Sequence, residues 1–164
     1  LELYGKPDAY SIAGLAAAII ATAQMLGGLL VSRVMHLFKN RTSMISLGIV
    51  ISCAAMVSIG LTSNFVVAIL FIAVWAMVMA STGPVRQSYL NGQIPSEQRA
   101  TVLSFDSLIG SSGGVVFQPG LGKAADCYSY SFAYIAGSVI QLFALPCYLK
   151  AKLQKVPADT ILPD

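Results

Sequence analysis

Of the 164 residues, 56% are hydrophobic and only 10% charged, and the mean hydropathy is +0.74, against roughly 25% charged residues in an ordinary soluble domain. That balance excludes a soluble globular protein and makes the lipid bilayer the chain's solvent. A formal net charge of +3, with no basic stripe interleaved with aromatics, excludes nucleic acid as a partner.

Residues 1–10 read as an extracytoplasmic start, and the absence of both a leading methionine and a signal-type segment predicts that the chain is part of something longer. Apolar runs then cover about 11–32, 43–62, 65–83, 100–122 and 130–149, each close to the ~20 residues that a helix needs to cross a bilayer. Between them lie "RVMHLFKNRT" (33–42), "TSN" (62–64), "PVRQSYLNGQIPSEQR" (84–99) and "KAADCYS" (123–129). An open sheet edge cannot sit in lipid, and the alternation of a barrel strand is absent. The prediction is an all-α integral membrane protein, with about five transmembrane helices over residues 11–150 and a tail over 151–164.

The basic residues set the expected orientation. With an odd number of spans, Arg33, Lys39, Arg41, Arg86, Arg99, Lys150, Lys152 and Lys155 fall on one side and only Lys6 and Lys123 on the other. The basic side is expected to face the cytoplasm, with the amino terminus outside. The tail "KAKLQKVPADTILPD" is then cytoplasmic, and its prolines and charges predict disorder. Tyr4, Tyr10, Tyr128, Tyr130 and Tyr148 lie near predicted span ends, as interfacial tyrosines do.

Helical faces carry the next layer. In the first span Gly14, Ala18, Ala21, Met25, Gly28 and Ser32 recur at spacings of three and four, a face where another helix can approach closely. In the third span Trp75, Met79, Thr82 and Arg86 share a face; in the fourth, Ser104, Ser107, Ser111, Gly114 and Gln118 do. A polar stripe in a membrane helix points at protein or water. Pro119 and the surrounding glycines (Gly110, Gly113, Gly114, Gly120, Gly122) suit bending or tight packing.

Little points to covalent chemistry. "GSSGG" (110–114) satisfies the G-x-S-x-G and G-x-S-G patterns of serine hydrolases, but a nucleophilic serine needs a base in hydrogen-bond reach. The single histidine, His36, lies upstream in a loop, far from a mid-membrane Ser112, and has no neighbours at metal-ligand spacing. Cys53, Cys127 and Cys147 form no CxxC pair and read as packing residues, with Cys127 as an exposed thiol. No phosphate loop is present, so the reading is a non-enzyme with no cofactor and no metal.

Two loops carry a family resemblance. The first span ends "GGLLVSRVMHLFKNR", the third is followed by "YLNGQIPSEQRATVLSFDSLIG", and the next outer turn reads "QPGLGKAADCYSYSFAYIAGS". Together these resemble the carboxyl-terminal half of a major facilitator superfamily transporter, helices eight to twelve of its twelve, and the likeness covers nearly the whole chain. The family's loop signature has the form G-x-x-x-D-R-x-G-R-R; Gly28 and Arg33 match it, while Ser32 stands in the acidic position and the second glycine is absent. "IPSEQRATVLS" resembles the loop that leads into helix eleven in many bacterial members. "GLLVSR" and "GLGKAAD", ahead of "SLGIVIS" and "IAGSVIQ", fit inverted three-helix repeats with substrate between them.

The resemblance implies a secondary active transporter in the cell membrane that moves a small solute, efflux included, with this chain supplying part of the second bundle. Its partners would be lipid, the solute, and the missing amino-terminal helices or a second half-subunit. In the family, helices eight, ten and eleven face the cavity, which implies cavity positions at Gln24, Trp75, Met79, Thr82, Ser107, Ser111 and Gln118. Arg86, Arg99 and Asp106 are the expected cytoplasmic gate or coupling residues. Ser96 is the expected cap of the fourth helix, which places Asp106 about two turns in, roughly 10 Å at 1.5 Å per residue. There Asp106 pairs with Arg99 or another nearby base, or binds a proton or cation. The alternatives are a non-transporting scaffold or accessory half-subunit, and an intramembrane serine protease acting through Ser112.

Overall fold

The computed structural model describes residues 7–161, with side chains from Ile12 onward. Tyr4, Lys6, the rest of segment 1–6, the Tyr10 side chain and tail residues 162–164 lie outside the described residues. The fold is all-α. Its helices are α1 (Pro7–Met35), α2 (Arg41–Leu61), α3 (Phe65–Gln93), α4 (Arg99–Cys127), α5 (Tyr130–Leu142) and α6 (Ala144–Leu153), followed by a single 3₁₀ turn at Pro157–Asp159. With α5 and α6 in one span, five segments are long and apolar enough to cross a membrane, in the predicted order.

Local chemistry accounts for the ends. Asn64 caps α3 by accepting from the Val66 and Val67 amides at 3.0 and 3.3 Å, and Ser129 caps α5 through the Phe132 amide at 3.1 Å. Each cap satisfies donors that a helix start leaves without an intrahelical partner. Asn64→Ala is expected to cost about 1 kcal/mol of stability, read as a lower thermal midpoint in detergent; an unchanged midpoint would show that solvent replaces the cap.

Three boundaries depart from the sequence reading. The predicted third span stops at 83, before Pro84, yet α3 continues through that proline to Gln93. The extension is held by packing: Val85 and Tyr89 are buried, and a membrane helix tolerates a proline where its neighbours compensate. The fifth span breaks at Phe143. Pro146 has no N–H to bond the Leu142 carbonyl, and its ring crowds that carbonyl; at the break the Phe143 amide bonds the Ile140 carbonyl at 3.2 Å. Ser96 caps nothing: α4 starts at Arg99 after a turn in which the Gln98 amide bonds the Pro95 carbonyl at 3.1 Å.

α2 is the centre of the bundle. It has eleven buried residues, whereas α3 has three and α4 none. α3 packs on both α1 and α2, α2 packs also on α5 and α6, and α4 packs chiefly on α5. Small residues set the distances, as between membrane helices generally. A Cβ at Gly48 would sit 2.4 Å from Thr82 Cγ2, one at Gly60 2.9 Å from the Ser131 carbonyl oxygen, and one at Gly137 2.9 Å from Met56 Cε.

The close-approach face of α1 differs from the predicted one. A side chain at Gly14 or Gly28 would meet nothing within 4 Å, and Met25 is exposed. The contact runs through Gly27, where a Cβ would come within 2.3 Å of the Met77 carbonyl oxygen. Ser81 on α3 seals it by donating to the Gly27 carbonyl at 2.9 Å. One residue of helical phase, about 100° of rotation, separates the two faces.

The tail also departs from prediction. It is ordered through Ile161, with Asp159 and Ile161 buried, because Asp159 finds hydrogen-bond donors at the start of α2.

Candidate functional site

Two polar features of the bundle involve the expected site residues. The first joins α3 and α4. Arg86 lies seven residues before the end of α3 at Gln93, and Asp106 seven residues after the start of α4 at Arg99. At 1.5 Å per residue both sit roughly 10 Å from the connecting turn, and there they meet. The guanidinium donates from Nη1 to Asp106 Oδ2 at 3.0 Å and from Nη2 to Asp106 Oδ1 at 2.5 Å, a bidentate fork that fixes orientation as well as charge. Tyr148 on α6 lies beside the same guanidinium.

Of the bases expected to pair with Asp106, Arg86 does so and Arg99 is not in this cluster. The Arg99 guanidinium turns back to the Ile94 carbonyl at 3.5 Å, because seven residues of helix carry Asp106 well above it. Of the three expected gate residues, the structure brings together Arg86 and Asp106. Tyr148 is the member that sequence reasoning missed, since its position near a span end reads as an interfacial anchor.

The second feature is the exposed polar face of α4. Ser111 and Gln118 line an open hollow with Gly110, Gly114, Val115 and Pro119, and the Gln118 amide lies beside Gly114. Ser104 and Ser107 are exposed along the same helix. The exposed Ser112 donates its hydroxyl to the Leu108 carbonyl at 2.8 Å, a bond within its own helix.

The other expected cavity residues are dispersed. Thr82 lies between α2 and α3, against Gly48, with its hydroxyl returned to the Val78 carbonyl at 2.9 Å. It lines a mainly apolar pocket with Gly48, Met77 and Ser81, not the hollow of α4. Trp75 Nε1 is buried with no hydrogen-bond partner among the described residues, Met79 is half-buried and Gln24 is exposed on α1. The two signature positions, Gly28 and Arg33, are both exposed near the end of α1. The described residues bring Ser111 and Gln118 together but do not close one cavity around all seven.

The sequence model of the Major Facilitator Superfamily matches residues 7–161, nearly the full chain. The chain belongs to that superfamily. No individual curated protein matches it. Membership makes the chain an integral membrane protein of a transporter family, and the major facilitator fold gives its polar features a frame: an ion pair joins two helix ends, beside a helix whose polar face is left open.

Proposed function

We propose that the chain forms helices eight to twelve of a secondary active transporter that moves a small solute across the cell membrane. The observation that carries this reading is α4. It spans 29 residues without burying one of them, yet it holds a stripe of hydroxyls and an amide that lipid would not satisfy. Such a face needs a water-filled path or another polar surface opposite it.

The packing supports the placement in the second bundle. Inverted repeats pair α1 with α4 and α2 with the α5–α6 span, leaving α3 without its mate. α3 packs on both α1 and α2, so its mate would pack on α4 and α5, where α4 is bare. A helix seven fills that position. In this reading the basic end faces the cytoplasm, Ser107, Ser111 and Gln118 face the solute path, and Arg86 with Asp106 closes it at the cytoplasmic end.

A substrate-independent experiment tests the path. In the full-length protein, with Cys53, Cys127 and Cys147 replaced, single cysteines are placed at Ser107, Ser111, Gln118 and Val116, and a membrane-impermeant thiol reagent is added. The three stripe positions are expected to react at least about tenfold faster than the lipid-side control, because a polar stripe in a membrane helix faces water or protein. Equal protection at all four would mean that protein covers the stripe, as an accessory or scaffold role requires.

A further inference from the structure

We propose that residues 156–161 are a strap that locks the ends of α2, α3 and α6 into one rigid unit. The anchor is Asp159, 1% exposed. Its carboxylate accepts three hydrogen bonds from a single short segment: Asn40 Nδ2 at 2.9 Å, the Thr42 amide at 2.7 Å and Thr42 Oγ1 at 2.8 Å. Asn40 occupies the position before α2 but makes no capping bond of its own. The cap comes from 119 residues further along the chain, and it brings a negative charge to the positive end of the helix dipole. A buried carboxylate is tolerated only when hydrogen-bonded throughout, so the strap and the start of α2 are mutually dependent.

Backbone contacts extend the seat on both sides of Asp159. The Ile161 amide donates to the Lys39 carbonyl at 3.0 Å, Thr160 bridges Asn40 in antiparallel fashion, and Arg41 Nη1 donates to the Ala158 carbonyl. On the opposite side Ala158 rests on α3. A Cβ at Gly92 would come within 2.9 Å of Ala158 Cβ, so the strap lies on that glycine. The chain reaches this seat from α6 through Lys155, whose φ of 47° is a left-handed conformation that an L side chain holds only where its surroundings impose it.

One six-residue segment therefore ties the start of α2, the centre of the bundle, to the end of α3 and the end of α6. Its hydrogen bonds go to residues 39–42 and its packing to Gly92. α4, by contrast, packs chiefly on α5 and meets α3 through the Arg86–Asp106 pair. The strap makes α2, α3 and α6 the static part of the bundle and leaves α4 as the helix able to shift against them. The assignment of movement to α4 rests on the transport reading; the lock does not.

Hydrogen exchange on the full-length protein in lipid nanodiscs tests both parts without a solute, so a failed transport assay and a failed lock remain distinguishable. In Asp159→Ala, amides of residues 40–46 and 88–93 are expected to exchange at least about tenfold faster than in the parent, as local opening there becomes easier. Residues 100–110 of α4 are expected to change no more than in Thr160→Ala, which alters an exposed side chain of the same segment. Unchanged exchange at 40–46 in Asp159→Ala would overturn the lock, and equal acceleration along α4 would overturn the separation of α4 from the unit. Should Asp159→Ala fail to fold, the parent decides: the Thr42 and Ile161 amides must be protected in it, and exchange at the rate of an unstructured chain sinks the proposal.

Discussion

Arg86→Ala and Asp106→Ala are each expected to lower the rate of solute flux by on the order of 10²-fold, the factor that about 3 kcal/mol carries. The two side chains are 42% and 29% exposed, so neither is fully desolvated, but each lies roughly 10 Å along a membrane helix from the nearest turn. Arg86 follows the start of α3 by twenty-one residues, about 32 Å of helix, which is the thickness of a bilayer's hydrocarbon core. The pair thus sits where apolar span gives way to interface, and removing one partner leaves the other charge there without its counter-charge. The decisive variant exchanges them. Arg86→Asp combined with Asp106→Arg keeps an ion pair between α3 and α4 and is expected to recover flux to within about tenfold of the parent, because a tie between helices depends on the pair and not on which helix holds the acid. A proton-carrying Asp106 predicts otherwise: the exchanged pair stays inactive, and Asp106→Asn still exchanges solute down its gradient while losing accumulation. Flux in proteoliposomes of the full-length protein, with and without a proton gradient, separates the two.

How far the structure follows from the amino-acid order depends on the length scale. The number, order and type of the spans follow from run length alone, since lipid admits helices wherever some twenty apolar residues occur together. Ends are harder, because they depend on neighbours: Pro84 stops a helix in isolation, but Val85 and Tyr89 are buried in the bundle and carry α3 on to Gln93. Rotation is harder still. Gly27 and Gly28 are adjacent and chemically identical, and only the position of α3 makes one a contact and the other an exposed residue. Asp106 is conspicuous in the sequence as an acid inside an apolar run, yet its partner is twenty residues back in the chain, across a turn whose geometry no local pattern encodes. Asp159 is the opposite case. In "KVPADTILPD" it looks like one charge in a polar tail, and its burial depends on donors at Asn40 and Thr42 that periodicity cannot connect to it.

The glycine pair yields a sharp stability contrast. Gly27→Ala is expected to destabilise the bundle by about 1–3 kcal/mol, the usual cost of overpacking a close contact, while Gly28→Ala is neutral or gains up to about 1 kcal/mol from helix propensity. The new methyl at Gly27 would lie 2.3 Å from the Met77 carbonyl oxygen and 3.0 Å from its carbonyl carbon, and backbone cannot rotate aside as a side chain does. α1 must back away from α3, which also stretches the bond from Ser81 Oγ to the Gly27 carbonyl. The α2–α3 contact offers a matched test with a built-in rescue. Gly48→Ala places its methyl 2.4 Å from Thr82 Cγ2, a methyl held in place because the Thr82 hydroxyl is bonded to the Val78 carbonyl. Thr82→Ser deletes that methyl and keeps the hydroxyl. Gly48→Ala alone is therefore expected to lower the thermal midpoint of the detergent-solubilised protein, and Thr82→Ser in the same chain to restore most of it. If the double variant melts as low as Gly48→Ala, the two residues do not meet, and Thr82 returns to the solute path as the sequence resemblance implies.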